Sequence, residues 1–407
     1  QQTLRLRNHP CIALWCGNNE VDEGWHNWGW QKQYSLSVSD SLKIWNDYMN
    51  VFHHLIPSVL SSTDSQRPYW PSSPEFGWGR KPSMTHGDSH YWGVWWGKEP
   101  FEKYQEKVPR FMSEYGFQGV PSAHTVKYFS SNGNVPDSLE LRCHQKHPVG
   151  YETINTFIER EGFHPSSFDS WIYCSQVTQS IGYRVAIESH RLASPRCMGT
   201  LYWQLNDCWP VVSWSSIDYL GHWKAVHYTV RDYYKSVLVS AQVNDSVMLV
   251  KAVSDSLQPF NGKITLTLLS TRGDTLKQWT KDVLLQPNIA LAVDRIENPL
   301  EKKYFDKYFI HTRLSLMDGT EFESVSFMGK VGKLQLENPQ IVKEITKSNN
   351  GGTITLSSKY PAFFVELSSN NPNCRFDNNY LHILPGRKYV IEYSGTIDNS
   401  FKIKTIK

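Results

Sequence analysis

No stretch of this chain approaches the roughly 20 consecutive apolar residues of a membrane-spanning helix. Neither sign of charge dominates. Lys and Arg number 42 against 39 Asp and Glu, a formal net charge of +3 without clustering. That balance argues for neither a nucleic-acid partner nor a membrane surface. The seven cysteines are an odd number without C-x-x-C spacing, and no ligand spacing suits zinc. Cys11 and Cys16 differ by an odd number, so on one strand they face opposite sides and are poor disulfide partners. Most of the cysteines read as buried thiols. G-x-S-x-G, Walker A and G-x-G-x-x-G are all missing. The first residues, Q-Q-T-L-R-L-R-N, hold no apolar core of a signal peptide, and the chain reads as starting inside a domain.

Tryptophan, by contrast, is abundant and unevenly placed. Fifteen of the sixteen precede residue 224, and the last is Trp279. The 407 residues suit two to three domains, and the tryptophan bias makes the first a different kind from the rest. A flat apolar ring with one donor suits the apolar face of a sugar; the plain alternative is core packing.

Two stretches carry candidate chemistry. In P10-C-I-A-L-W-C-G-N-N-E20 a short apolar run stops on Gly17 and delivers Glu20. Such runs suit strands buried on both faces. A carboxylate just past a strand's C-terminal end sits where α/β barrels keep their chemistry. The plain alternative is a solvated loop glutamate. In P109-R-F-M-S-E-Y-G-F-Q-G-V-P121 another short run delivers Glu114. At roughly 30 or more residues per βα unit, the two lie about three units apart. Two carboxylates converging at about 5–5.5 Å are what a retaining glycosidase needs.

These residues resemble a known family. R-N-H-P-C-I-A-L-W-C-G-N-N-E is similar to the acid/base segment of glycoside hydrolase family 2, and F-M-S-E-Y-G-F-Q-G to its nucleophile segment. G199-T-L-Y-W-Q-L-N-D-C-W-P210 resembles the last barrel strand of the β-mannosidase branch. The resemblance covers residues 1 to 235 well and the remainder by domain type. It implies Glu20 as acid/base and Glu114 as nucleophile, with Asn19 on the sugar 2-hydroxyl. It implies Trp203 as a platform under the terminal sugar, and Trp28 and Trp92 as pocket walls. Asn206 and Asp207 could reach sugar hydroxyls or cap the following turn. Each Trp could instead be packing, and Asn19 a turn residue. Many relatives have an aromatic hydroxyl bonded to the nucleophile; here Trp95 and Trp96 stand in its region. An indole donates but cannot accept. His90 and Tyr91 are nearby candidates for that contact, and Asp88 reads as structural.

Along the chain, residues 4–9 read as the tail of a helix and 18–33 as a long loop. Leu42, Trp45, Met49, Phe52 and Ile56 recur at helical spacing, with Ser39 or Asp40 as cap and Pro57 kinking or ending the run. Strands are expected at 11–17, 68–71, 87–92, 110–113 and 199–205, with helices at 101–107, 168–192 and 222–234 and a polar loop at 130–148. Beyond about residue 236 short alternating runs separated by N261-G, R272-G-D and D318-G read as antiparallel sandwiches.

The expected fold is therefore α/β followed by all-β. Residues 1–235 form the second part of a (β/α)8 TIM barrel, about five βα units; 236–334 and 335–407 form two immunoglobulin-like sandwiches. Five strands cannot close an eight-stranded barrel, so an upstream segment is expected to complete it. Alone, the chain is expected to be inactive or nearly so. The function implied is a retaining exo-β-mannosidase needing no cofactor and no metal, acting on β-mannosides, manno-oligosaccharides or glycan ends. Rival readings are β-galactosidase, β-glucuronidase and exo-β-glucosaminidase, and, from another class, a non-catalytic carbohydrate-binding or assembly module.

Overall fold

The computed structural model describes residues 1–397 and 401–406. It divides into two compact units. The first comprises residues 1–99, 106–115 and 196–202; the second comprises 100–105, 116–195 and 203–407.

The first unit holds four short parallel strands, β1 (Trp15–Asn19), β2 (Tyr69–Ser73), β3 (Ser89–His90) and β4 (Met112–Glu114). β1 pairs with β2, Trp15 opposite Tyr69 through Asn19 opposite Ser73. β3 pairs with β4, His90 opposite Glu114. The expected strand at 11–17 begins later. Its ladder opens where the Trp15 amide donates to the Pro68 carbonyl, and Pro68 has no N–H with which to extend the pairing backwards. β1 is also less buried than expected, with half-buried and exposed side chains. Among the described residues it has a hydrogen-bonded neighbour on one side only. Gly17 is required by close approach, since a Cβ there would stand 2.5 Å from the Pro71 carbonyl oxygen. The expected strand at 199–205 reduces to one parallel bridge, Thr200 to Met112. Of the seven cysteines, Cys11, Cys16, Cys143 and Cys208 are exposed, so most are not buried thiols.

Helices fill the rest of this unit: α1 (Gln2–Leu6), α2 (Val21–Asn27), α3 (Trp30–Gln33), α4 (Val38–Tyr48) and α5 (Ile56–Thr63). The segment read as a loop at 18–33 is thus largely helical. The cap of α4 is Ser37, whose Oγ accepts from the Asp40 amide, in place of Ser39 or Asp40. Pro57 does not end the run. A π-helical stretch, Met49–Leu55, intervenes, and Pro57 falls in the first turn of α5, where its missing N–H costs little.

The second unit contains α6 (Lys103–Glu106), α7 (Ala123–Phe129), α8 (Ser138–Cys143), α9 (Gly150–Arg160), α10 (Phe168–Arg191) and α11 (Ala225–Tyr233). Inside the presumed polar loop, α8 starts on a capping box between Asp137 and Glu140. α10, capped by Ser167, is buried along most of its 24 residues.

Among the described residues, fourteen strands follow α11. In the first sandwich, one sheet orders β5 (Val237–Val243), β6 (Val247–Ser254) and β9 (Leu291–Glu297) as β5-β6-β9. The other orders β7 (Phe260–Ser270), β8 (Thr275–Leu285), β10 (Tyr308–Leu316) and β11 (Glu321–Phe327) as β11-β10-β7-β8. Side chains from both sheets, among them Val250, Leu266, Leu268 and Ile310, form one apolar core. Asn261-Gly262 is not the expected turn. Both residues pair within β7, opposite Leu284 and Val283, while the R272-G-D and D318-G turns fall between strands.

The second sandwich places β12 (Val342–Ser348), β13 (Gly351–Ser357), β15 (Arg375–Phe376) and β17 (Tyr389–Ser394) in the order β12-β13-β17-β15. Its other sheet orders β14 (Ala362–Ser368), β16 (Leu381–Ile383) and β18 (Lys402–Lys404) as β16-β14-β18. Ile354, Val365 and Ile391 are central to its core. The C-terminal region is therefore all-β and Ig-like, preceded by a helical region with short parallel strands that resembles part of a TIM barrel.

Candidate active site

Glu20 follows the last residue of β1, and Glu114 is the last residue of β4. Both stand at the carboxyl ends of parallel strands, in the first unit. Glu20 adopts φ 60, ψ 8, a left-handed conformation uncommon outside glycine. The turn is held on both sides: the Glu20 amide donates to the Ser73 carbonyl at 2.8 Å, and the Val21 amide donates to Asn18 Oδ1 at 3.0 Å. Sparse backbone conformations of this kind persist where surrounding bonds over-determine them.

His90 joins the two carboxylates. Its Nδ1 lies 2.7 Å from Glu20 Oε1 and 3.1 Å from Glu114 Oε2. These atoms all lie within 4.8 Å of one another. The His90 nitrogen stands closer to both carboxylate oxygens, at 2.7 and 3.1 Å, than the roughly 3.3 Å that two ligand atoms about 2.0–2.1 Å from one tetrahedral ion keep between them. Behind the imidazole, Nε2 is 3.1 Å from Ser73 Oγ. Ser73 donates to Asp88 Oδ2 at 2.5 Å, and Ser113 donates to the same oxygen at 2.6 Å. The Glu75 amide bonds the other Asp88 oxygen at 3.2 Å. Asp88 is thus a buried anchor.

Burial pushes the Glu114 carboxyl up to about 7, with the negative charges of Glu20 and Asp88 adding to it. The His90 charge and a hydrogen bond from the Trp92 side chain oppose that rise. So the tryptophan that bonds Glu114 is Trp92, expected only as a pocket wall; it is buried. Of the residues considered for that contact, Trp95 is buried and Trp96 is 57% exposed. Tyr91 donates its hydroxyl to Glu99, while His90 does reach Glu114.

The other candidates are dispersed. Asn19 is exposed in register with Ser73. Its neighbour Asn18 is tied up by the Pro71 carbonyl, Ser72 and the Val21 amide. Trp28 is 49% exposed and packs edge-on against Trp30 at 5.8 Å. Trp203 and Asn206 belong to the second unit. Trp203 is 41% exposed, its carbonyl accepts from the Tyr183 hydroxyl at 2.8 Å, and the Trp203–Gln204 peptide is cis. Asn206 is exposed. Asp207 is sealed: its oxygens accept from Ser213 and Ser215, each at 2.6 Å. Burial raises its pKa against the pull of Lys224.

A half-buried and a buried carboxylate, bridged at parallel strand ends with one of them ready to exchange a proton near neutrality, can carry acid–base chemistry. Comparison with known proteins is more specific. A family model described as a Mannosidase Ig/CBM-like domain matches residues 246–329, and one described as an Ig-fold domain matches residues 336–407. Beta-mannosidase B of Thermothelomyces thermophilus is 26% identical over 97% of this chain and 50% of its own length. The crystal structure of Beta-D-mannosidase from Dictyoglomus thermophilum superposes with a TM-score of 0.84 at 30% identity, over 98% of this chain and 49% of that one. An exo-chitosanase of Amycolatopsis orientalis, at 15% identity and a TM-score of 0.67 over 99% of this chain and 52% of its own, shares the fold. The chain is a homologue of β-mannosidases of the glycoside hydrolase family 2 type along nearly its whole length. It spans about half the length of the curated relatives it matches.

Proposed function

We propose that the polypeptide carrying these residues is a retaining exo-β-mannosidase, cleaving terminal non-reducing β-D-mannosyl residues by double displacement. The observation that carries this reading is the Glu20–His90–Glu114 constellation, with its three donor atoms within 4.8 Å at parallel strand ends. The choice of mannoside rests on relatives named as β-mannosidases. Residues 1–235 contribute about five βα units of the barrel, and the remaining strands come from outside these 407 residues. Residues 236–334 and 335–407 are the two sandwiches.

In the first step Glu20 protonates the leaving oxygen as Glu114 attacks the anomeric carbon and the glycosidic bond breaks. In the second, water gives a proton to Glu20 and attacks the same carbon, releasing Glu114. Asn19 bonds the 2-hydroxyl, and Trp28 and Trp96 line the pocket. Trp92 acts on Glu114 directly. The raised pKa of Glu114 favours a second reading, in which Glu114 is the acid and Glu20 the nucleophile.

The test is a panel of nitrophenyl β-glycosides, with Glu20→Gln and Glu114→Gln assayed in azide. Mannoside should lead galactoside, glucuronide and glucosaminide. An enzyme lacking its acid/base still forms the glycosyl intermediate, so azide returns a β-glycosyl azide. One lacking its nucleophile is attacked by azide from the opposite face and gives the α-anomer. A β-azide from Glu20→Gln supports the first assignment; a β-azide from Glu114→Gln reverses it. Sugar binding without turnover by the unsubstituted protein would instead favour a non-catalytic module.

A further inference from the structure

Away from the carboxylate pair, the second unit holds a cavity of about 160 Å³ where α7, α10, the turn before α11 and the second sandwich meet. That is many times the room one water needs. Its two carboxylates are already taken: Asp169 and Glu366 both pair with Lys404, at 2.8 and 3.3 Å. Lys127, Lys402 and Arg375 line the same cavity and have no carboxylate partner among the described residues. Arg375 donates from Nη1 to the Pro372 and Cys374 carbonyls, which leaves Nε and Nη2 uncommitted among those residues. His222 lines the cavity too; it is 9% exposed, and its ring nitrogens have no hydrogen-bond partner among the described residues. Its ring stacks on that of His124 with centroids 5.0 Å apart. Asp218, whose charge bears on His222, has both oxygens occupied by the amides of Ser122, Leu220 and His222. Burial holds the His222 pKa down to about 4; Asp218 opposes that shift, and Arg375 and His124 add to it.

We propose that this cavity is a second, non-catalytic binding site, which takes an acidic sugar and holds its phosphate or carboxylate with Arg375, His222 and the two lysines. Charge argues for the anion: three cations line one cavity in which each carboxylate is already paired. Arg375 is half-buried and supplies the planar fork that grips oxyanions, while Lys127 and Lys402 are exposed point charges. Size and one wall argue for a ring behind the acid group. Trp223, 40% exposed, lines the cavity and offers a flat apolar face beside these donors. Its indole is held in place by the rings of His227 and Tyr228, with centroids 4.3 and 5.3 Å away. All of these residues belong to the second unit and Glu20 and Glu114 to the first, so the site does not depend on how that pair reacts.

The test is calorimetric titration of the natural polypeptide with glucuronate, glucose 6-phosphate and glucose at one ionic strength. The first carries a carboxylate, the second a phosphate and the third neither. At least one acidic sugar should bind at a single site with a Kd in the millimolar range or below, about tenfold or more tighter than glucose. The tighter of the two identifies the oxyanion. Arg375→Gln should weaken that binding about tenfold or more. Lys127→Gln combined with Lys402→Gln, both at exposed positions, should weaken it roughly threefold or more, and it decides the matter if Arg375→Gln does not fold. Glu20→Gln and Glu114→Gln should bind the acidic sugar as the unsubstituted protein does. Loss of binding in those two would place the ligand at the carboxylate pair and overturn the proposal. So would glucose binding as tightly as the acidic sugars, no binding of either acidic sugar at about 20 mM, or binding that survives the arginine and lysine substitutions unchanged.

Discussion

β4 is three residues long and spends two of them on a serine that bonds Asp88 and on Glu114. β7 runs eleven residues and turns Ile264, Leu266 and Leu268 into a shared apolar core. Around the carboxylates the buried groups are Asp88, His90 and Glu114, each satisfied by polar partners. In the first sandwich the shared core is mainly aliphatic, and ladders reach seven or more residue pairs, as between β10 and β11. The first arrangement sacrifices stability to hold charge in place; the second supplies stability from its apolar core and keeps its charged groups, such as Glu323 between His311 and Arg387, at the margin of that core. Burying polar chemistry in short strands demands many specific partners, whereas long alternating strands need only the right period.

The sharpest way to break this contrast is to neutralise the site. Glu114→Gln should lower turnover by about a thousandfold or more, ~4 kcal/mol in barrier. It should also raise the melting temperature. The carboxyl is pushed up to about 7 in the fold, so the folded protein holds that proton more tightly than the unfolded chain. Stability therefore falls as pH rises from the ordinary carboxylate range through about 7. The gain in melting temperature should be larger at pH 8 than at pH 5. A loss of stability at both would remove the trade-off between site and core. In the unsubstituted enzyme, kcat/KM should fall as pH drops through about 7 if Glu114 is the nucleophile. It should fall as pH rises through about 7 if Glu114 is the acid.

The opposite experiment truncates a sandwich core. Ile310→Ala should cost about 2–5 kcal/mol of stability while the folded fraction keeps its kcat. A smaller insult to the site's scaffold is Gly17→Ala. Its Cβ would meet the Pro71 carbonyl and the Phe52 ring, at an expected cost of about 1–3 kcal/mol together with a loss of kcat as β1 shifts. If kcat held while stability dropped, the strand end would be less demanding than its geometry implies. The smallest effect is expected at the capping box of α8, where Asp137→Ala should cost about 1 kcal/mol by denaturant melting and leave kinetics alone.

Several misreadings share one cause, which is local signal outvoted by partners. Asn261-Gly262 is a strong turn dipeptide, yet β8 supplies a ladder across it. Pro57 reads as a helix end, yet a π turn reshapes the backbone ahead of it. The run at 199–205 has strand composition but shares only a single bridge with β4. Indoles at Trp95 and Trp96 were the expected donors, and the bond to Glu114 comes from Trp92.

What the chain itself determined is what periodicity and strand-end chemistry can encode. The alternating runs from Val237 to Tyr393 became sandwich strands, and the apolar stripe along α10 became a buried helix. Glu20 and Glu114 could be picked out because each closes a short apolar run. Only the tertiary structure decided that His90, 70 residues beyond Glu20, would bridge the two. It alone decided that Ser73 and Asp88 would anchor the imidazole, and that Asp207 would be locked by Ser213 and Ser215. Those choices are hydrogen bonds between side chains on different strands and loops. Their strength depends on distance and burial after packing, and neither quantity exists along a one-dimensional sequence.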